Sequence, residues 1–215
     1  MKNKKQMQEP GIKIARPNIN QIIVFGVGAA GSNTCLHLVY SYPILNFTVV
    51  DFDTVESRNY EAGTQPYSKM DLNRPKTQAL QRVIMAAKNK SISAINKKIG
   101  SSKDILSLVE DPSRAILIDA FDNAASRNLF VGLNKCNVIH IGFSANLCGE
   151  AVWDETFTPM ETAKSDAKID VCEMTMARPF IFALTSMAAM SIGRFIEKGE
   201  KNNLYFDSHF IVRKF

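Results

Sequence analysis

The stretch Ile22-Ile23-Val24-Phe25-Gly26-Val27-Gly28-Ala29-Ala30-Gly31-Ser32 narrows the possible folds more than any other part of the chain. Its apolar run reads as a buried strand, and the G-x-G-x-x-G spacing that follows reads as a tight turn opening into a helix. Glycines at those positions let backbone N–H groups approach an anion closely, and the positive end of the helix dipole supports a phosphate there. Close packing of strand on helix accounts for Gly31 alone, whereas a phosphate cradle accounts for Gly26, Gly28 and Gly31 together.

The residues downstream extend this unit. Ala29 to about Tyr42 continues as a helix closed by Pro43, and Asn46–Asp51 is a β-branched, apolar strand. Asp51 stands twenty positions after Gly31, where a Rossmann-type unit carries its ribose-binding acid. Asp53 to Asn73 reads as a long polar connection, Arg74–Lys88 as a helix with one buried face, and Ser91–Ile99 as a strand. Ile105–Glu110 is a short helix, Arg114–Asp119 a second buried strand ending in a carboxylate, and Ala124–Asn134 a helix. Val138–Phe143 and Cys148–Trp153 are strands, Thr156–Lys168 a mobile loop and Pro179–Lys198 a long apolar helix. Two short strands, 204–206 and 210–212, close the chain. The fold class is α/β: a Rossmann-like, mostly parallel sheet flanked by helices, with a C-terminal antiparallel extension. Open sheets of this kind bind ligands at the carboxyl ends of their strands, so Asp51, Asp53, Asp119 and Asp122 are expected to converge on one crevice.

With 215 residues and 46% hydrophobic content, one compact domain is expected. We place it at residues 19–215, after a Lys-, Asn- and Gln-rich flexible arm at 1–18. The net charge of +5 favours an anionic partner, but no basic run with interleaved aromatics points to nucleic acid. No apolar segment of signal-peptide length begins the chain and none approaches the ~18 residues of a membrane span, so a cytoplasmic protein is expected. Cys35, Cys136, Cys148 and Cys172 form no C-x-x-C pair, which argues against a disulfide framework and against zinc.

Asp53 is surplus to a dinucleotide site, and its economical use is near a divalent metal, with Asp122 as a second ligand. Asp122-Asn123 is equally readable as a strand-to-helix cap. Lys76 starts a helix after Pro75, where the dipole gives a cation no reason to be; a phosphate would supply one, and a solvated surface lysine is the alternative.

Taken together, Gly26-x-Gly28-x-x-Gly31, Asp51-Phe52-Asp53-Thr54-Val55, Asn59, Gln65, Arg74-Pro75-Lys76, Asp119-x-x-Asp122-Asn123 and Arg127 resemble the ThiF/MoeB/HesA family, bacterial relatives of ubiquitin-activating enzymes. The resemblance runs from about Asn20 to the end. It implies ATP- and Mg2+-dependent adenylation of the C-terminal carboxylate of a small β-grasp, ubiquitin-like protein ending in Gly-Gly. It also implies a homodimer, for which the surplus apolar faces of 179–198 leave room. By the same resemblance Gly26, Gly28, Gly31 and Asp51 hold the nucleotide, with Asp51 on the ribose. Asn59, Lys76 and Arg74 are assigned to the triphosphate, Asp53 lines the site, and Asp122 holds the metal. Lys76 and Asp122 would be catalytic, and Cys172 matches the reactive cysteine that receives the activated carboxylate, with Cys148 ranked after it. Cys35 and Cys136 are expected in the core.

The departures are specific. The Arg of the family's Arg-Gln pair is missing from Glu61-Ala62-Gly63-Thr64-Gln65, with Arg58 or Arg74 as substitutes. The N-terminal arginine finger has only Arg16 as a candidate, and the paired C-x-x-C zinc motifs are absent. Competing readings are a NAD-dependent oxidoreductase, which leaves Asp53, Asn59, Lys76 and Asp122 without a task; a non-catalytic scaffold; and adenylation of a peptide or a tRNA base.

Overall fold

The structure, a computed structural model, describes residues 17–153, 157–158, 174–207, 209 and 212–214. Five strands run parallel: β1 (Gln21–Phe25), β2 (Asn46–Asp51), β3 (Ser93–Asn96), β4 (Ala115–Asp119) and β5 (Asn137–Phe143). Three more add antiparallel: β6 (Cys148–Trp153), β7 (Leu204–Asp207) and β8 (Val212–Lys214). The order across the sheet is β3-β2-β1-β4-β5-β6-β7-β8, as expected for a Rossmann-like sheet with an antiparallel extension.

Side chains alternate between two cores because successive strand residues point to opposite faces. Ile22 and Val24 pack against the helices α1 (Ala29–Ser41), α3 (Lys76–Lys88) and α6 (Ala177–Lys198). Ile23 and Phe25 face the other side, with Ile99, Ile105, Leu117, Phe130 and Val138. All residues of β1 and β4 are therefore buried, as parallel strands covered on both faces must be. In β6 burial alternates instead, since one face of the antiparallel part is less covered.

Several boundaries differ from expectation for local reasons. The connection 53–73 is not featureless: it contains α2 (Ser57–Glu61) and a 3-10 turn at Lys69–Asp71. Each begins with a capping box, Glu56 with Asn59 and Ser68 with Asp71, which satisfies the first backbone donors. The helix expected at 105–110 is α4 (Ser102–Leu106), because the Ser101 hydroxyl accepts from Asp104 N at 3.2 Å and starts it earlier. The helix expected at 124–134 stops after one turn, α5 (Ala124–Arg127), and the chain continues in turns to Gly132 at φ +81°. The edge strand expected at 91–99 pairs only over Ser93–Asn96. β8 lies at 212–214 rather than 210–212, of which 210 and 211 are outside the described residues. α6 starts two residues before Pro179, which falls in the first turn where a missing N–H breaks no helical bond.

The expectation that no segment approaches a membrane span needs correcting. At 22 residues α6 is long and apolar enough by length and composition. It is a core helix here, with Ile181, Leu184, Ala188 and Ile192 fully buried against the sheet and α1. Cys35 and Cys136 lie in the core as expected, and burial pushes the Cys35 thiol up to about 12, which makes it inert as a nucleophile.

The 3-10 turn is fixed by a buried carboxylate. Asp71 accepts from Arg82 Nε at 2.7 Å, Arg82 Nη2 at 2.6 Å and the Ser68 backbone N–H at 2.9 Å. Burial pushes the Asp71 carboxyl up, but the bonds from Arg82 and Ser68 outweigh it and hold the group below its ordinary value. A carboxyl depressed in the folded state contributes stability above its unfolded pKa of roughly 3.9 and loses it as pH falls through the folded value. Asp71→Asn is therefore expected to be destabilised at about pH 7 and to lose less further stability than wild type between about pH 5 and pH 2, read by urea unfolding. Parallel losses in the two proteins would contradict this.

Candidate active site

The three glycines have different physical reasons to be there. Gly26 sits at φ +80°, and a Cβ on it would stand 2.8 Å from the Ala120 carbonyl oxygen. A Cβ on Gly31 would overlap the Gly26 carbonyl oxygen, so α1 can pack on the loop only without one. Packing thus accounts for Gly26 as well as Gly31, contrary to the sequence expectation. Gly28 is the exception: nothing lies within 4 Å of its absent side chain, at the N-terminus of α1. It is a cradle that a Cβ would fill. Gly31→Ala is expected to destabilise by more than the ~1–3 kcal/mol of ordinary core overpacking. Gly28→Ala should leave the unfolding midpoint unchanged while weakening nucleotide binding about tenfold or more. Equal effects of the two substitutions on stability would contradict this assignment.

Asp51 ends β2 beside this loop. Its two oxygens accept from Val27 N at 2.8 Å and Asp53 N at 2.9 Å, so it shapes the loop and keeps further lone pairs for hydroxyl donors. Burial pushes its carboxyl up, and the N–H groups of Asp53 and Val27 together with Lys76 only partly offset this. Lys76 is buried rather than solvated. Its Nζ lies 3.0 Å from Asp53 Oδ2, and the backbone N–H of Lys76 donates to the Asp53 carbonyl at 2.9 Å. Asp53 supplies the reason for a cation at that helix start which the sequence had left to a phosphate.

Asn59 is buried, and its Oδ1 accepts from Glu56 N at 2.8 Å, which leaves the Nδ2 donors for a ligand. Arg74 is exposed and makes no ion pair among the described residues, while Arg58 is exposed and paired to Glu56 at 2.7 Å. Asn123, not Asp122, caps α5, accepting from Ser126 N at 2.9 Å; Asp122 is exposed beside it. Among the described residues no group of three His, Cys, Asp or Glu could hold a metal ion. Cys148 is half-buried at the start of β6, and Cys172, with most of 156–168, lies outside the described residues.

Asp119 does not join the crevice surface. It is fully buried, and it accepts from Phe121 N at 3.1 Å, His140 Nδ1 at 2.7 Å and Arg127 Nε at 3.3 Å. Phe157 stacks on His140 at 3.7 Å and carries the Arg127 guanidinium over its ring at 4.6 Å. This cluster fixes the turn 120–122, against which Gly26 packs and from which Asp122 projects. Sequence reading missed His140 and Phe157, which no local spacing connects to Asp119. It also missed Asn33, whose Nδ2 donates to Thr64 O at 2.8 Å and ties α1 to the segment after α2. A lone amide among the apolar residues of α1 was the available signal.

A profile of the ThiF family matches residues 9–206. Comparison with characterised protein sequences gives no match. Among solved structures, E. coli MccB with MccA-N7isoASN has 16% identity over 93% of this chain and 65% of that chain, TM-score 0.69. E. coli MccB with ATP has 17% identity over 93% and 64%, TM-score 0.66. PaaA has 17% identity over 93% and 64%, TM-score 0.69. The chain thus spans just under two thirds of the length of these proteins, and the likeness is one of fold. With the profile covering nearly all of the sequence, the chain belongs to the ThiF family.

Proposed function

We propose that this protein uses ATP to adenylate the C-terminal carboxylate of a partner polypeptide. The observation that carries the reading is Gly28, open on its side-chain face at a helix N-terminus, next to Val27, whose N–H donates to Asp51, with the buried Lys76 acting on that same carboxylate. In the reaction a carboxylate oxygen attacks the α-phosphorus, an O–P bond forms, and the bond to pyrophosphate breaks with its electron pair leaving on pyrophosphate. Anion repulsion is the main barrier, so the protein must supply positive charge and fixed geometry. The loop N–H groups and Asn59 Nδ2 donate to phosphate oxygens, Lys76 offsets charge, and Asp51 accepts from the ribose hydroxyls. Asp122 would be the protein carboxylate that holds magnesium, which would supply charge neutralisation at the phosphates; among the described residues no group of three His, Cys, Asp or Glu forms a dedicated metal site.

MccB is solved both with ATP and with MccA, so the substrate class proposed is the broad one, a polypeptide carboxylate. A Gly-Gly-ended β-grasp protein is the first candidate and a short peptide the second. Transfer to Cys172 and a homodimeric assembly belong to the same proposal. Pyrophosphate exchange into ATP, measured with magnesium and with each polypeptide class, tests it. Exchange that depends on the polypeptide supports the reading; absence of exchange with both classes, with no ATP bound, favours a scaffold.

A further inference from the structure

Among the described residues the crevice offers little positive charge for a triphosphate. Asp51, Asp53 and Asp122 bring carboxylates to it, and Lys76 is already paired with Asp53. The segment after α2, Glu61-Ala62-Gly63-Thr64-Gln65, contributes no base of its own.

A base reaches that segment from elsewhere in the chain. Arg178, in the first turn of α6, donates from Nε to the Gly63 carbonyl at 2.9 Å. Gly63 sits at φ +66°, and a Cβ on it would meet Arg178 in ordinary contact, Cδ at 3.5 Å and Nε at 3.6 Å. The guanidinium thus lies against the backbone of this loop at Gly63. The segment it holds is tied to the helix that follows the glycine loop. Ala177 packs in one cluster with Ala29, the first residue of α1, and Asn33 of α1 holds the next carbonyl of the segment, Thr64 O.

The Phe182 ring lies 5.1 Å from the guanidinium carbon, and the two terminal nitrogens make no hydrogen bond among the described residues. A planar fork held by its Nε and left open at its tip suits two phosphate oxygens. In the same segment Thr64 Oγ1 and Gln65 Oε1 are buried with no hydrogen-bond partner among the described residues.

We propose that Arg178 binds the β- and γ-phosphates of ATP and replaces, from α6, the cation missing between Glu61 and Gln65. This rests on the adenylation reading above. The test is equilibrium binding of ATP and of AMP, each with magnesium, to the full chain, alongside unfolding midpoints. Arg178→Ala is expected to weaken ATP about 10–100-fold and AMP less than about twofold, with Arg178→Lys in between. Arg178→Gln, which keeps a donor for Gly63 O but no charge, should match the alanine variant and decides the question if that variant is unfolded.

Equal weakening of ATP and AMP would make Arg178 a brace for the loop and overturn the proposal, as would unchanged ATP binding. A wild-type protein that binds no ATP would overturn the adenylation reading and the proposal with it. Wild type that prefers ATP, with variants that keep that preference, removes only the role of Arg178.

Discussion

Lys76→Met is expected to lower ATP-dependent pyrophosphate exchange by about 10²–10³-fold with the fold intact, an effect of the size seen when one preorganised charge-stabilising donor is removed. The side chain of Lys76 is only 10% exposed, so methionine keeps the aliphatic stem in its slot and leaves no cavity. Asp53, the carboxylate left behind, is 48% exposed and can be solvated, which limits the stability loss. What disappears is the buried cation at the start of α3 that pairs with Asp53. Exchange within about threefold of wild type would remove Lys76 from the chemistry and leave it as the partner of Asp53 alone.

The largest stability effect is expected at Asp119. Alanine there leaves Arg127 with Glu150 at 3.6 Å as its remaining acidic partner among the described residues and takes the acceptor from His140 and Phe121 N. Removing one partner from a buried charge network costs about 3–5 kcal/mol, because the remaining charge stays desolvated. Arg127 already has its Nη2 buried without a partner among the described residues, and loss of Asp119 adds its Nε to the unsatisfied donors. Asp119→Asn, which keeps an oxygen for Phe121 N, should lose less. Urea unfolding checks both; an alanine variant within about 1 kcal/mol of wild type would mean that the cluster is not a structural hub.

What the sequence made legible follows from range. The strand, turn and helix from Ile22 to Ser41 and the acid at Asp51 are fixed by local periodicity and spacing, and they appear as expected. Capping boxes such as Glu56 with Asn59 are local too, but they hid inside a polar connection that lacked an apolar stripe. Asp119 was placed in the crevice because it ends a strand. Its side chain instead turns to His140 and Arg127, a choice set by β5 and α5 rather than by its neighbours in sequence. Lys76 was recognised but its partner was not, since Asp53 meets it only after the chain folds back through Thr54 and Pro75. Arg178 was invisible for the same reason: 115 positions separate it from the Gly63 carbonyl it holds.

These assignments share one claim, that the loop from Gly26 to Gly31 holds the phosphates of ATP rather than those of a nicotinamide dinucleotide. Calorimetric titration of the full chain with ATP and magnesium, and separately with NAD, tests it most directly. The account predicts saturable ATP binding that Gly28→Ala weakens about tenfold or more with the unfolding midpoint preserved, and no NAD binding. Saturable NAD binding without ATP binding would contradict it.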